Sequence, residues 1–339
     1  MLPRRALVLT LLFVTTAGCA VLEPNAAPEH VVRGPLGLRS NGPIAATLMQ
    51  FRPRSTQTRP VGRVGFEVAN SYSSMFEDGT DGNWTVVFDG ELARTAVLFR
   101  TGVSDTTDVE VELPFAYATS GFLDTFIESW HAFFGLPNGG RAQRARGEYA
   151  MHVDTNGRRV YELDADRPAL ADIPLYLTQQ VTREADAGIG IALRGGVEIP
   201  TGSEGRGFGN GGVDWGGGAL AEKSLGRFTF TASAYYVDAA TPDSFARAGL
   251  VIGDQVYYQG GVECRWNNWL SLVAGLRSST PVTKDIPLKE IDRGVLDLDV
   301  GFVFDDPQTE WRYIFGLTED LVSESGTDFT VFFGLSRTF

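Results

Sequence analysis

Residues 108–117 of the chain are DVEVELPFAY, and this stretch decides the fold. Odd positions from 109 to 117 carry large apolar side chains, whereas positions 108, 110 and 112 carry carboxylates. A period of two residues is typical of a β-strand, in which successive side chains point to opposite faces. One face of this strand is therefore apolar and the other is charged.

The same alternation recurs in segments of about the same length from residue 62 to the C-terminus. Twelve strands are predicted, at 62–73, 85–102, 105–118, 172–183, 188–200, 213–224, 226–238, 254–266, 268–280, 292–304, 309–320 and 328–339. An even number of strands is what single-chain bacterial outer-membrane barrels have.

The charged face distinguishes a membrane barrel from a soluble β-sandwich, because a membrane barrel turns its apolar face to lipid and encloses the polar one. The connections favour the same class. Short ones at 226–227 and 267–268 alternate with long polar ones at 201–212, 239–251 and 281–290. We therefore predict an all-β, transmembrane, antiparallel up-and-down barrel with outer-membrane lipid around it.

The C-terminal segment supports this class. Residues 328–339 alternate and end in Phe339, which resembles the terminal strand signal of outer-membrane proteins, although Arg337 departs from that pattern. We expect the barrel-assembly machinery to be a partner through this strand. The predicted location is the outer membrane of a Gram-negative bacterium.

The N-terminal residues predict export. Arg4 and Arg5 precede a short apolar run, as in a secretory signal over residues 1–19. Residues 16–19, TAGC, resemble a lipobox, which makes Cys19 a candidate for lipidation, while cleavage after Ala20 is the alternative. Residues 20–61 show no clear period and form either a periplasmic arm or a plug in the lumen.

An insert at 119–171 interrupts the strands of the 62–339 barrel. Its first part has helical spacing, and we predict one amphipathic helix at 121–134. Its apolar face comprises Phe122, Leu123, Phe126, Ile127, Trp130, Phe133 and Phe134. This face can cover the barrel mouth, enter the lumen or lie among the acyl chains of the outer leaflet.

Several blocks occur in an order that resembles one known family. They are GPLGLRSNGPI at 34–44, VELPFAY at 111–117, FLDTFIESWHAFFGLPNGGR at 122–141, DIPLYL at 172–177 and EIPTG at 198–202. The chain resembles the proteobacterial outer-membrane family called domain of unknown function 3187. The resemblance implies an outer-membrane β-barrel and no established activity.

The charged face supplies the candidate functional residues. They are Arg94, Arg100, Glu110, Glu112, Arg194, Glu198, Glu263, Arg265, Arg277, Asp297, Asp299 and Arg312. Two interpretations remain open: ion pairs that hold the lumen shut, or a water-filled passage whose selectivity these charges set.

A passive channel or solute-uptake barrel for an unknown small solute is the first hypothesis. A non-conducting structural or interaction barrel acting through its external helix is the second. A membrane-embedded lipid hydrolase, with His131 beside Ser120 or Ser129, is the third, and no motif supports it. No cofactor or metal is implied, and a formal charge of −13 argues against nucleic acid.

Overall fold

A computed structural model gives the structure of the chain. It describes residues 32–135, 141, 144–284, 286, 288, 291–321 and 326–339. The predicted signal segment, with the lipidation candidate Cys19, lies outside the described residues.

Twelve antiparallel strands close into one barrel, which confirms the predicted fold class and strand number. They are β1 (Val64–Asp81), β2 (Trp84–Ser104), β3 (Thr107–Thr119), β7 (Ile173–Thr182), β8 (Gly190–Ile199), β9 (Asp214–Leu225), β10 (Phe228–Asp238), β12 (Gln255–Arg265), β13 (Leu270–Ser279), β15 (Val295–Asp305), β16 (Arg312–Asp320) and β17 (Phe329–Thr338). Short strands in the connections are β4 (Ala150–Thr155), β5 (Arg158–Glu162), β6 (Ala169–Leu170), β11 (Val251–Ile252) and β14 (Thr283–Lys284).

The first and last barrel strands close the sheet. β1 pairs with β17 from Gly65 opposite Thr338 to Ser74 opposite Phe329, and on its other side it pairs with β2 along its whole length. Phe339 extends this pairing, because its backbone N–H donates to the carbonyl oxygen of Val64 at 2.8 Å. Closure satisfies the backbone groups that an open edge would expose, which a strand in lipid requires.

The two ends of the barrel differ. β1 starts and β17 ends at one end, where β2 and β3 are joined by residues 105–106 and β9 and β10 by residues 226–227. The long connections lie at the opposite end. We call the first the terminal end and the second the loop end; in outer-membrane barrels short turns face the periplasm.

The two faces of each strand follow the predicted alternation. On β3, Glu112 points into the lumen and is fully buried, whereas Phe115 points outward and is exposed. Outward aromatic residues on other strands, such as Trp215 and Tyr258, are likewise exposed. The outer surface is thus apolar and the inner surface polar.

An apolar cluster occupies the loop end. Ile44 and Leu48, which precede the barrel in sequence, pack in it with residues of the connections such as Val153, Phe245 and Leu288. The hairpin β4–β5 extends the wall here, because β4 pairs with the first residues of β2. The loops are therefore part of a packed core.

A helix in the insert, α1 (Asp124–Phe134), lies against the outside of the barrel. Leu123 and Ile127 pack on Phe329 and Tyr72. These wall residues face outward, since their neighbours in sequence, Ser73 and Thr330, hydrogen-bond to each other on the lumen side. Of the three placements left open by the sequence, α1 occupies neither the mouth nor the lumen, and its position on the outer wall is compatible with the third, among the acyl chains of the outer leaflet.

One edge of α1 contacts the wall and the other faces outward. Ile127 is fully buried, whereas Phe133 is 83% exposed. Phe122, which precedes the helix, is 75% exposed although its ring lies 5.3 Å from that of Tyr72 on the wall. Phe126 is half exposed, and its ring lies 5.5 Å from that of Phe329. The Phe134 backbone ends the helix. Among the described residues, no helix has both the length and the apolar character needed to cross a membrane.

Glu91 on β2 fixes the start of α1. Its carboxylate accepts the backbone N–H groups of Phe122 at 3.0 Å and Leu123 at 2.5 Å, which no turn of the helix itself could satisfy. Gly121 has φ +73°, and a Cβ there would lie 1.8 Å from the Glu91 carboxyl carbon. Only glycine allows this approach of backbone to carboxylate.

Arg141 fixes the other side of the insert. Its guanidinium pairs with Asp124 at 2.5 Å and with Asp328 at 2.6 Å, beside the start of β17. Burial opposes its charge, but the two carboxylates outweigh that effect and raise the pKa of Arg141 above its ordinary value. The insert is thus joined to the strands that close the barrel.

We predict that Gly121→Ala releases α1 from the wall without opening the barrel. The added methyl group displaces Glu91 and loses the bonds to Phe122 and Leu123. The measurement is limited trypsin digestion of the purified protein in detergent micelles, with faster cleavage expected at Arg144 and Arg146.

Gly157→Ala is the matched control, because Gly157 has φ +72° and no atom within 4 Å of an added Cβ. Both variants pay the backbone cost of about 1–2 kcal/mol, so the difference between them isolates the contact with Glu91. Equal cleavage rates in the two variants would contradict the conclusion that Glu91 holds the start of α1.

Candidate functional site in the barrel lumen

The segment before β1 fills the lumen. Most residues from Arg33 to Arg52 are buried, and the segment contacts wall strands on all sides of the barrel. We call residues 33–59 the plug. Of the two placements that the sequence left open for residues 20–61, the structure therefore gives the lumen for residues 33–59.

Glu112 on β3 is a fully buried carboxylate of the wall. Arg52 of the plug approaches it with Nε at 3.1 Å from Oε2, and Arg94 of β2 pairs with its other oxygen. Tyr176 on β7 donates its hydroxyl to the carbonyl oxygen of Gln50 at 2.7 Å. This group of bonds holds the middle of the plug against two adjacent strands.

A second group lies nearer the terminal end. Asp108 pairs with Arg54 of the plug at 3.2 Å and with Arg100 of β2 at 2.5 Å. Arg194 on β8 pairs with Glu110 at 2.6 Å. The Arg194 side chain also lies 4.2 Å from the centroid of the Tyr176 ring and donates to the carbonyl oxygen of Arg52 at 3.2 Å.

A third group holds the start of the plug. Glu263 on β12 accepts the backbone N–H groups of Arg33 at 2.9 Å and Gly34 at 2.8 Å. The Arg33 side chain pairs with Asp305 at 2.6 Å, which also pairs with Arg312 at 2.7 Å. Both ends of the plug are thus fixed near the terminal end, and its middle reaches towards the loop end.

At the loop end, Asp214 on β9 connects the plug to the loops. Its carboxylate accepts the backbone N–H of Met49 at 2.9 Å and that of Ala240 at 2.7 Å. Asn210 donates to it at 2.7 Å. Nearby, burial raises the pKa of Asp172, although backbone N–H groups of Gly202 and Asn210 oppose that effect.

The predicted lumen residues have different partners. Glu110, Glu112, Arg194, Glu263 and Arg100 contact the plug. Arg94 pairs with Glu112 and Arg312 pairs with Asp305, and each of these carboxylates also pairs with an arginine of the plug.

The other predicted charges contact the wall. Arg277 pairs with Asp297 at 3.0 Å and Asp299 at 2.5 Å. Arg265 donates to the carbonyl oxygen of Gly226 in a turn at the terminal end. Glu198 is buried among the charges of the lumen. The predicted lumen charges therefore fall into two groups, those that contact the plug and those that contact other wall residues.

Sequence reasoning missed the plug's own arginines, Arg33, Arg52 and Arg54, because their segment has no period. It also omitted Asp108, although that residue starts the alternating stretch, and Asp305, which follows the last predicted position of its strand.

Two residues considered for catalysis, His131 and Ser129, have structural partners, as does Glu128 on the same helix. His131 Nε2 lies 3.5 Å from Glu319, and the Ser129 hydroxyl donates to the carbonyl oxygen of Thr125 at 2.8 Å. Glu128 pairs with Arg146 at 2.5 Å. Within the described part of the chain, no group of three or more His, Cys, Asp or Glu side chains is placed to hold a metal ion.

Comparison with known protein families gives one match that covers nearly the whole chain. The family described as Protein of unknown function (DUF3187) matches residues 9–339. The chain belongs to this family. The resemblance found in the sequence blocks is thereby confirmed, and no curated protein sequence matches the chain.

A solved outer-membrane channel shares the fold, and two further solved barrels give weaker alignments. The COG4313 outer membrane channel from Pseudomonas putida F1 superimposes with a TM-score of 0.56 at 14% identity, covering 86% of this chain and 100% of that one. The translocator domain of the autotransporter NalP from Neisseria meningitidis gives 0.41 at 10% identity, covering 83% and 90%. OmpF of Salmonella typhi, solved with daunomycin, gives 0.31 at 9%, covering 82% and 97%.

We predict that Glu112→Gln destabilises the folded barrel by about 3–5 kcal/mol, because Arg52 and Arg94 would keep their buried charges without a carboxylate. The measurement is the free energy of unfolding from urea titrations of micelle-bound protein, followed by tryptophan fluorescence.

Glu162→Gln is the control, since Glu162 forms an exposed pair with Arg159 at 2.8 Å. Loss of such a pair costs less than about 1 kcal/mol. A Glu112→Gln variant as stable as this control would show that the buried group contributes nothing to the fold.

Proposed function

We propose that this protein lies in the outer membrane and takes up a small solute through its lumen, with the plug as the gate. The main observation in support is that arginines of the plug form ion pairs with carboxylates of the wall, as Arg52 does with Glu112 and Arg54 with Asp108. When the plug moves, these wall charges line the path that it leaves.

The bonding of the plug suits a movable element. Polar groups hold its two ends, and water can replace such bonds one at a time as the plug moves. The wall also holds charges of both signs that pair with each other, such as Arg277 with Asp299. The wall therefore keeps part of its charge neutralised without the plug.

The size of the barrel agrees with a gated path. Eight strands leave an interior filled by side chains, whereas sixteen leave an aqueous channel. Twelve strands leave room for one additional segment, and the plug occupies that room here. The apolar cluster at the loop end, with Ile44 and Leu48 of the plug, would have to open for a solute to enter.

The membrane and assembly partners belong to the same proposal. The exposed outward side chains, such as Phe115, Trp215 and Tyr258, contact lipid acyl chains. β17, extended by Phe339, is the segment that the barrel-assembly machinery recognises.

The second candidate function is a non-conducting barrel that acts through α1. It is favoured by the exposure of Phe133 on the outward edge of the helix and of Phe122 just before its start. Their contact with the outer leaflet accounts for this exposure equally well, and α1 does not touch the plug through any bond described above.

The decisive experiment is conductance in planar lipid bilayers. We expect Arg52→Gln combined with Arg54→Gln to give discrete steps that are more frequent than those of the unmodified protein, because the plug loses its ion pairs with Glu112 and Asp108. Heat-modifiable migration in electrophoresis establishes that each variant retains the folded barrel.

Arg159→Gln is the matched control, because it removes a guanidinium from an exposed loop hairpin and leaves the plug intact. Its conductance should equal that of the unmodified protein. Gating by the plug is refuted by folded plug variants that are silent, or that give the same steps as the control.

A further inference from the structure

A cavity of about 420 Å³ lies between the plug and the wall at the terminal end. The wall lines it with the first residues of β1, β3 and β16, the last residues of β2 and β17, and Arg194 of β8. Seven arginines line it, namely Arg33, Arg52, Arg54, Arg59, Arg100, Arg194 and Arg312. Two carboxylates line it, those of Glu67 and Glu110.

The carboxylates around the cavity do not balance this charge. Asp108 is shared by Arg54 and Arg100, and Asp305 is shared by Arg33 and Arg312. With Glu112, which pairs with Arg52, Glu263, which accepts the N–H groups of Arg33 and Gly34, and the two lining carboxylates, six negative groups face seven guanidinium groups. The cavity is therefore electropositive.

Arg59 is the clearest source of the surplus. Within the described residues its side chain forms no ion pair; it donates to the Thr338 hydroxyl, and its buried Nε has no hydrogen-bond partner. Burial and the neighbouring Arg312 lower the pKa of Arg59. Gly65 leaves the space for this guanidinium, since a Cβ there would lie 2.9 Å from it.

We propose that this cavity binds a small oxyanionic solute with two or more negative charges, carried by phosphate or carboxylate groups, that enters from the terminal end. Guanidinium groups match both chemistries through paired N–H donors. The volume lies within the range of small-molecule sites and has room for roughly a dozen non-hydrogen atoms.

The surplus charge excludes the other classes of ligand. A cation would meet more guanidinium than carboxylate groups, and an apolar solute would bury several of them without a partner at high cost. Anion binding at this site goes beyond uptake, because it requires neither movement of the plug nor conduction through the barrel.

Equilibrium binding tests the site. The full-length protein in detergent micelles is titrated calorimetrically with inorganic phosphate and with citrate, each against sodium chloride of equal ionic strength. We expect saturable binding of at least one of the two anions. Binding of phosphate alone assigns phosphate groups to the ligand, and binding of citrate alone assigns carboxylates.

Arg59→Gln should weaken binding by about tenfold or more, the effect of losing one charge-assisted contact. Arg59→Lys keeps the positive charge but not the paired N–H donors of the guanidinium, so it should lower the affinity by a smaller factor. Arg265→Gln is the matched control, because Arg265 is also at the terminal end but does not line the cavity. Its affinity should stay within about twofold of the unmodified protein, as expected for a distant site.

The proposal is overturned by absence of saturable binding of both anions to the folded protein, or by equal affinities of Arg59→Gln and Arg265→Gln. Arg59→Lys keeps the test valid where Arg59→Gln does not fold. A silent bilayer together with Arg59-dependent binding refutes gated uptake and leaves the anion site standing.

Discussion

A carboxylate enclosed by the barrel needs an opposite charge or hydrogen-bond donors within reach, and much of this structure depends on that constraint. The wall carries carboxylates because its inner face is polar, and burial makes each of them costly unless a guanidinium or N–H donors lie within reach. Neighbouring strands supply some of these partners, as Arg94 does for Glu112. The plug supplies the others, so the segment before the barrel is a structural component of the lumen.

The strand pattern could be predicted from the sequence because lipid and lumen impose opposite demands on alternate residues. Every barrel strand coincides with a predicted segment, yet β1 continues to Asp81 where the prediction ends at residue 73. Beyond residue 73, β1 still pairs with β2, and β2 in turn pairs with β4 of the hairpin β4–β5. The side chains of this part of β1 are therefore not required to alternate between lipid and lumen. The helix likewise begins later than predicted, because Glu91, distant in sequence, binds the N–H groups of Phe122 and Leu123.

The charges of the lumen could be predicted as a class, but their partners could not. Alternation identifies Glu112 and Glu263 as inward-facing residues. The neighbouring sequence does not indicate that Arg52 contacts Glu112. Nor does it indicate that the backbone of Arg33 contacts Glu263, which is 230 positions away. The position of α1 on the outer wall could not be predicted either, because an apolar helix face can pack on a barrel wall or insert into a lipid layer.

The plug precedes the barrel in the chain, yet its contacts reach the last strands. Arg33 pairs with a residue 272 positions away, and Arg59 donates to one 279 positions away. Such distant contacts carry the largest loss of chain entropy and form late in folding. The plug therefore completes its contacts only once β15 and β17 are in place, and until then the lumen is wet and some of its charges are unmatched.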